Sequence, residues 1–183
     1  MTLRIYAPAT WSQSPRFHWL TSQKAIASVG IAHCVSSKDL AAGTGLWEPT
    51  AGAIERDPSR LLAVTFDGTV LKNPASIRSA VDAATTTFVV PHDANALRSR
   101  IMGIAPIVIS VRSFEEPKGG AEEFVYRSSK EGAVGIAAPH SKWSKGLVAL
   151  CHRFDVLSWS TEVLVEREFE RCVRIGVDAV VVG

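Results

Sequence analysis

Short runs of apolar and β-branched residues recur along the whole chain, separated by longer stretches of mixed polarity. The runs cover residues 3–7, 29–34, 61–66, 86–90, 107–111, 133–137, 155–159 and 178–182. They are almost continuously apolar instead of alternating between apolar and polar residues, which is typical of strands buried on both faces of a parallel sheet. The pattern therefore predicts eight strands.

Amphipathic stretches lie between most of these runs. The pattern predicts helices over residues 76–84, 94–104, 122–131, 144–153 and 162–175. The last helix has the clearest apolar face, formed by Val165, Phe169, Cys172 and Val173, with charged residues on the opposite face. Gly176 is expected to end it.

Alternation of strands with helices favours a parallel β/α fold in which the helices cover the sheet. Eight strands in 183 residues predict a single domain, residues 1–183, folded as a small TIM-like (β/α)8 barrel that lacks its last helix. An open, doubly wound α/β sheet remains the alternative fold.

Composition and charge narrow the partners that we expect. A net charge of +2 and a hydrophobic fraction of 46% are ordinary for a globular protein and indicate neither a nucleic-acid surface nor a membrane surface. Three cysteines, Cys34, Cys151 and Cys172, fit a reducing compartment better than a disulfide framework. The first residues lack the apolar stretch of a signal peptide. We therefore expect a cytoplasmic protein with a small-molecule substrate, and a homo-oligomer or larger assembly stays open.

Polar and aromatic residues gather where the predicted strands end, which is the side on which parallel β/α folds form ligand sites. In chain order these residues are His33, Asp67, His92, Arg112, His140 with Lys142 and Trp143, and Trp159. Each of them alone also suits a structural role, such as a helix cap or a core position. Their clustering at one end of the strands predicts a ligand site at this rim.

The residue types at the rim suit acid–base chemistry on a phosphate or sugar ester. Histidine transfers protons near neutral pH, so we predict catalytic roles for His33, His92 and His140, with Asp67 orienting a histidine. Asp67 and His92 are also candidate ligands for a divalent metal ion, Mg²⁺ or Ca²⁺. The predicted substrate-binding residues are Arg112, Lys142, Trp143 and Trp159, which offer an anion clamp and stacking faces.

The C-terminal part of the chain, residues 145–183, resembles the glycerophosphodiester phosphodiesterase family. The likeness rests on VLSWST at 156–161 and GVDAVVV at 176–182. IAH at 31–33 and TFDG at 65–68 resemble two further motifs of that family, although Cys34 and Val35 stand where the family has Arg-Gly. The resemblance implies a barrel whose first strand is residues 3–7, whose seventh strand carries a substrate-lining Trp159, and whose chemistry is metal-assisted phosphodiester hydrolysis.

Two functions stay open at this point. The first is a phosphodiesterase-like hydrolase that acts at the rim on a small phosphorylated or sugar-containing substrate. The second is a non-catalytic barrel of the same ancestry, used as a binding or structural module inside a larger assembly. The absence from the sequence of the family's Glu-Asn-Thr and Glu-x-Asp metal-binding motifs favours the second function.

Overall fold

The strands of this protein close into one parallel barrel. The computed structural model describes residues 3–8, 26–35, 62–66 and 86–182. The strands are β1 Leu3–Pro8, β2 Ile26–Val35, β3 Leu62–Phe66, β4 Thr86–Pro91, β5 Ile107–Ser110, β6 Gly135–Pro139, β7 Leu157–Val163 and β8 Ala179–Val182. Each strand pairs in parallel with the next, and β8 pairs back with β1. The predicted eight-stranded barrel is confirmed, and the open-sheet alternative is wrong.

The pairing of β8 with β1, which closes the barrel, agrees with the strand numbering that the family resemblance of residues 145–183 implies. Ile5 of β1 lies opposite Val180 of β8, and Tyr6 lies opposite Val181. The first strand is therefore the one at the start of the chain, and Trp159 lies in the seventh strand, as the resemblance implied.

Four helices cover the described part of the barrel. They are α1 Asn95–Ile101, α2 Gly120–Lys130, α3 Lys145–Arg153 and α4 Glu166–Ile175. Ser144 caps α3 by accepting a hydrogen bond of 3.2 Å from the backbone N–H of Leu147. Gly176 ends α4 in the left-handed conformation, with φ at 87°. The predicted helix over residues 76–84 lies outside the described residues.

The last helix begins later than the sequence pattern predicted. Residue 162 was expected to start it, but β7 continues to Val163, and Glu162 has a φ of 58°. The pairing of β7 with β8 shifts register between Ser160 and Val163. This irregularity prolongs the extended chain, so that α4 starts only at Glu166.

Successive residues of each strand point to opposite sides of the barrel wall. On β4, Phe88 and Val90 join the outer core between the wall and the helices, whereas Val89 belongs to the interior. The interior cluster of the barrel consists of Tyr6, Val89, Val108, Ala137, Trp159 and Ala179. The described barrel is therefore filled by side chains and is not an open channel.

Candidate functional site at the carboxyl ends of the strands

Two of the predicted site residues cannot be placed as side chains. Asp67 lies outside the described residues, and so does the side chain of His33. The backbone of His33 lies in β2, with its Cα opposite that of Val64 in β3. Their predicted catalytic and metal-binding roles stay predictions.

The inward-facing positions at the carboxyl ends of β4, β5, β6 and β7 follow from the alternation along each strand. Val89, Val108, Ala137 and Trp159 face the interior, and the residue two positions further along each strand faces the same side. These four rim positions are held by Pro91, Ser110, Pro139 and Thr161, all of them half-buried. None of these four side chains titrates near neutral pH.

His92 follows β4 and turns toward the helix layer. Its ring lies edge-on to Phe124 of α2, with 6.3 Å between the ring centroids and 85° between the planes. The ring also lines a cavity of about 420 Å³ between α1 and α2. The arginines of that cavity already have partners, because Arg98 pairs with Glu131 at 3.3 Å and Arg127 pairs with Glu123 at 3.1 Å.

Arg112 and Lys142 are exposed at the rim. Arg112 follows β5, and its backbone N–H donates to the Glu116 carboxylate at 3.3 Å. Lys142 ends the short 3₁₀ turn His140–Lys142 that follows β6. Both cationic side chains are therefore accessible to an anion in solution, which their predicted substrate-binding role requires.

A histidine–carboxylate pair lies at the rim between β6 and α4. His140 Nε2 is 3.3 Å from an oxygen of Glu168, and the two side chains are 21% and 26% exposed. Arg171 donates hydrogen bonds to the carbonyl oxygens of His140 and Trp143, the latter at 2.8 Å. Arg171 thus ties the turn after β6 to α4, which holds His140 opposite Glu168.

Glu168 is itself fixed by the backbone at the start of α4. Its other carboxylate oxygen accepts hydrogen bonds from the backbone N–H groups of Leu164, at 2.7 Å, and Val165, at 3.2 Å. The hydrogen bond from Leu164, helped by that from Val165 and by the charge of His140, holds the pKa of Glu168 below its usual range. Glu168 is therefore ionised at neutral pH and is available to orient His140 or to accept its proton.

Replacing Glu168 with glutamine should destabilise the protein by about 1 kcal/mol near neutral pH, which is typical of losing a helix-capping group. A carboxyl group whose pKa is lowered in the folded state stabilises the fold above its unfolded-state pKa, and this contribution disappears as the pH falls through the folded-state value. Urea unfolding at pH 7 and at pH 3 should therefore show a larger difference from wild type at pH 7 than at pH 3. The matched control is Glu170→Gln, on an exposed position of the same helix; an equal effect there would contradict the capping role.

The two tryptophans predicted to bind substrate are both buried, each with 1% exposure. Trp143 packs in the outer core, and its Nε1–H donates to the carbonyl oxygens of Ala138, at 3.2 Å, and Trp159, at 2.9 Å. The Trp159 ring lies inside the barrel and stacks on Tyr6, with 4.7 Å between the centroids. The structure thus brings neither ring to the surface of the rim.

A serine–aspartate–histidine cluster that sequence reasoning missed lies at the opposite, amino-terminal end of the barrel. One oxygen of Asp178 contacts His152 Nε2 at 2.8 Å, Ser158 Oγ at 2.7 Å and the backbone N–H of Ser158 at 2.8 Å. A catalytic triad needs the histidine between the serine and the aspartate. Here the aspartate is central, so the cluster is a structural link between α3, β7 and β8.

Cys151 lies beside this cluster and is fully buried. Its burial, reinforced by the negative charge of Asp178, raises the pKa of the Cys151 thiol to about 12. The thiol therefore stays protonated at neutral pH, which excludes it as a nucleophile in the folded protein.

The described part of the chain offers neither a cluster of metal ligands nor a membrane-spanning helix. Within residues 3–8, 26–35, 62–66 and 86–182, no three histidine, cysteine or carboxylate side chains converge in a way that would hold a metal ion. His92 therefore has no ready set of co-ligands among these residues. No helix in the described ranges is long and apolar enough to cross a membrane.

Comparison with known proteins gives a structural relationship. Scans against protein-family models and against curated proteins found no match. A solved structure described as a glycerophosphoryl diester phosphodiesterase from Silicibacter pomeroyi matches with a TM-score of 0.56 and 16% identity, over 75% of this chain and 50% of its own. A second solved structure, described as a glycerophosphodiester phosphodiesterase from Galdieria sulphuraria, matches with a TM-score of 0.56 and 12% identity, over 72% of this chain and 57% of its own.

A third solved structure shows how general the shared architecture is. Orotidine 5'-phosphate decarboxylase from Pyrococcus horikoshii matches with a TM-score of 0.56 and 10% identity, over 98% of this chain and 88% of its own. The protein is thus a TIM-type β/α barrel with a distant structural resemblance to the glycerophosphodiester phosphodiesterases. It spans about half the length of the two phosphodiesterases that it matches.

Proposed function

We propose that this chain is a phosphodiesterase-like hydrolase that acts at the carboxyl-end rim on a small phosphorylated or sugar-containing substrate. The observation that carries the proposal is the pair formed by His140 and Glu168. The pair lies where β/α barrels place their catalytic groups, and both side chains are accessible to solvent. The barrel shared with structures described as phosphodiesterases supports this class of reaction.

The geometry of the pair leaves room for a substrate. A separation of 3.3 Å is longer than the 2.7–2.9 Å of a tight charge-assisted hydrogen bond, so a substrate oxygen can replace Glu168 at His140 Nε2. The Nδ1 atom of His140 is buried and has no hydrogen-bond partner among the described residues, which makes Nε2 the nitrogen that exchanges protons. In hydrolysis a water molecule attacks phosphorus, the bond to the leaving oxygen breaks, and His140 transfers the proton from the water to that oxygen.

The exposed cations of the rim complete the proposed site. Lys142, two residues after His140, and Arg112, after β5, are proposed to attract the phosphate. We also retain the proposal that Asp67 and His92 take part in binding Mg²⁺ or Ca²⁺. That part of the proposal predicts that chelation with EDTA lowers the activity and that adding back either ion restores it.

The test is a hydrolysis assay with bis(4-nitrophenyl) phosphate and with glycerophosphodiesters. We expect His140→Ala to lower kcat by about 100-fold or more, as for loss of a general acid–base group. Glu168→Gln should lower kcat by a smaller factor, because the carboxylate that orients a catalytic histidine contributes less than the histidine itself. The matched control is His152→Gln, which breaks a histidine–carboxylate pair at the other end of the barrel and should leave kcat unchanged. Hydrolysis that survives His140→Ala in a folded protein would overturn the proposed role of the pair.

A non-catalytic binding or structural module is the second candidate function. It is favoured by the inward-facing rim positions Pro91, Ser110, Pro139 and Thr161, which supply no titratable group along four strands. This candidate predicts no hydrolysis of any phosphodiester above the buffer rate, with or without added Mg²⁺ or Ca²⁺. Phosphorylated compounds would then bind without being consumed, which equilibrium dialysis with analysis of the recovered ligand would show.

A further inference from the structure

Three side chains that can donate hydrogen bonds form a chain of contacts toward the amino-terminal end of the barrel, opposite the proposed active site, with Arg4 exposed at its mouth and Tyr6 and Trp159 buried. Arg4 and Tyr6 are two positions apart in β1, so both are on the inward side of this strand. The Arg4 side chain is hydrogen-bonded to the Tyr6 phenol. The Tyr6 ring in turn stacks on Trp159 of β7, with 4.7 Å between the centroids and 19° between the planes.

The indole nitrogen of Trp159 has no acceptor among the described residues. Trp159 is 1% exposed, and its Nε1 is buried without a hydrogen-bond partner among the described residues. A buried N–H that gives up water without gaining an acceptor is costly, and most buried indoles therefore have one. This buried, unpartnered donor is the feature of the barrel interior that an added acceptor would satisfy.

Gly135 shows in which direction this N–H lies. A Cβ atom built on Gly135 would be 3.0 Å from Trp159 Nε1 and 3.1 Å from Cδ1, so the nitrogen edge of the indole lies over this glycine. Gly135 is the first residue of β6, and the first residues of parallel strands all lie at the amino-terminal end of a barrel. The indole N–H is therefore on the same end as Arg4.

The three groups share one chemical property. A guanidinium group and an indole N–H only donate hydrogen bonds. The Tyr6 oxygen is already bonded to Arg4, so the phenol has its own hydrogen left to donate. Burial raises the pKa of Tyr6, which keeps the phenol protonated and able to donate through the neutral range. Asp178 precedes Ala179, the residue opposite Arg4 in β8. One oxygen of the Asp178 carboxylate is already bonded to Ser158 and His152.

We propose that the amino-terminal end of the barrel interior binds a small oxyanion, such as phosphate, sulfate or a carboxylate, through Arg4, Tyr6 and Trp159. An oxyanion supplies only acceptors, which complements a set of groups that only donate. The site lies at the end of the barrel opposite His140 and Glu168, so it stands independently of the proposed hydrolase. An anion that binds the folded state alone would also raise the stability of the barrel.

Calorimetric titration of the full chain with inorganic phosphate, sulfate and acetate at constant ionic strength tests this site. Trp159→Phe and Tyr6→Phe keep the stacked rings and remove one donor each, so each should weaken phosphate binding by about tenfold, as expected for a lost hydrogen bond to a charged group. Arg167→Gln, which changes an exposed arginine on α4 that has no part in either proposed site, is the matched control and should bind like wild type. An absence of saturable binding, or phosphate binding as tight as wild type in both ring variants, would overturn the proposal.

A measurement on the unaltered protein covers the case in which a variant fails to fold. The chain has five tryptophans, whose indole N–H groups give separate resonances in a ¹H–¹⁵N spectrum. Nuclear Overhauser contacts with the stacked Tyr6 ring identify the resonance of Trp159. We expect phosphate to shift that resonance in a saturable manner and to raise the melting temperature. If the Trp159 resonance does not move while phosphate is added, the indole is satisfied by water alone and the site does not exist.

Discussion

Asp178→Ala is expected to lower the free energy of unfolding by about 3 kcal/mol, because it leaves buried donors without an acceptor. One Asp178 oxygen accepts from the backbone N–H and the hydroxyl of Ser158, at 2.8 and 2.7 Å, and Ser158 is fully buried. The same oxygen contacts His152 at 2.8 Å. Denaturant unfolding followed by circular dichroism would measure the loss, which is a large part of the 5–15 kcal/mol typical of a domain.

Two further variants separate the contributions at Asp178. The His152 side chain is 45% exposed, and exposed ion pairs contribute little, so His152→Ala should cost less than about 1 kcal/mol. Glu170→Ala, which removes an exposed carboxylate on α4, should be nearly neutral. If His152→Ala proved as damaging as Asp178→Ala, the stability would come from the histidine pair and not from the hydrogen bonds to Ser158.

Most of the fold could be predicted because the barrel strands have a strong and simple pattern. The run at 107–111 is apolar except for Ser110, and β5 occupies Ile107–Ser110 with its residues packed on both sides of the wall. The start of α4 could not be predicted in the same way. A non-glycine residue with a positive φ, such as Glu162, depends on the β7–β8 pairing and has no local sequence signature.

The sequence does not show whether a site residue at the end of a strand points into the barrel or toward the helices. A strand that is apolar on both faces does not show which of its residues point inward, so the end of the strand can be predicted but the side cannot. Pro91 continues the inward series of β4, and His92, one residue later, turns outward to Phe124. Glu168 was missed for a different reason. Its carboxylate caps the backbone N–H groups of Leu164 and Val165, and neither leucine nor valine usually marks the start of a helix.

Trp143→Ala is expected to destabilise the protein by about 4 kcal/mol, in the range for removing a buried aromatic side chain. The Trp143 ring lies edge-on to Phe114, with 5.0 Å between the centroids. Its N–H joins neighbouring strands by donating to Ala138 at the end of β6 and Trp159 in β7. Loss of the side chain would therefore open the outer core directly beneath the turn that carries His140.

Trp143→Phe is the matched variant, because it keeps an aromatic ring against Phe114 and removes only the N–H. It should cost about 1–2 kcal/mol, as for two lost hydrogen bonds to backbone carbonyls, and urea unfolding of both variants measures the difference. The sequence pattern instead predicted that Trp143 binds substrate, a role in which alanine would raise KM and leave the unfolding midpoint in place. Because Trp143 is 1% exposed, we expect the opposite order, with stability lost first and any loss of activity following from displacement of His140. A stable Trp143→Ala protein with a raised KM would contradict this packing role and restore the substrate-binding one.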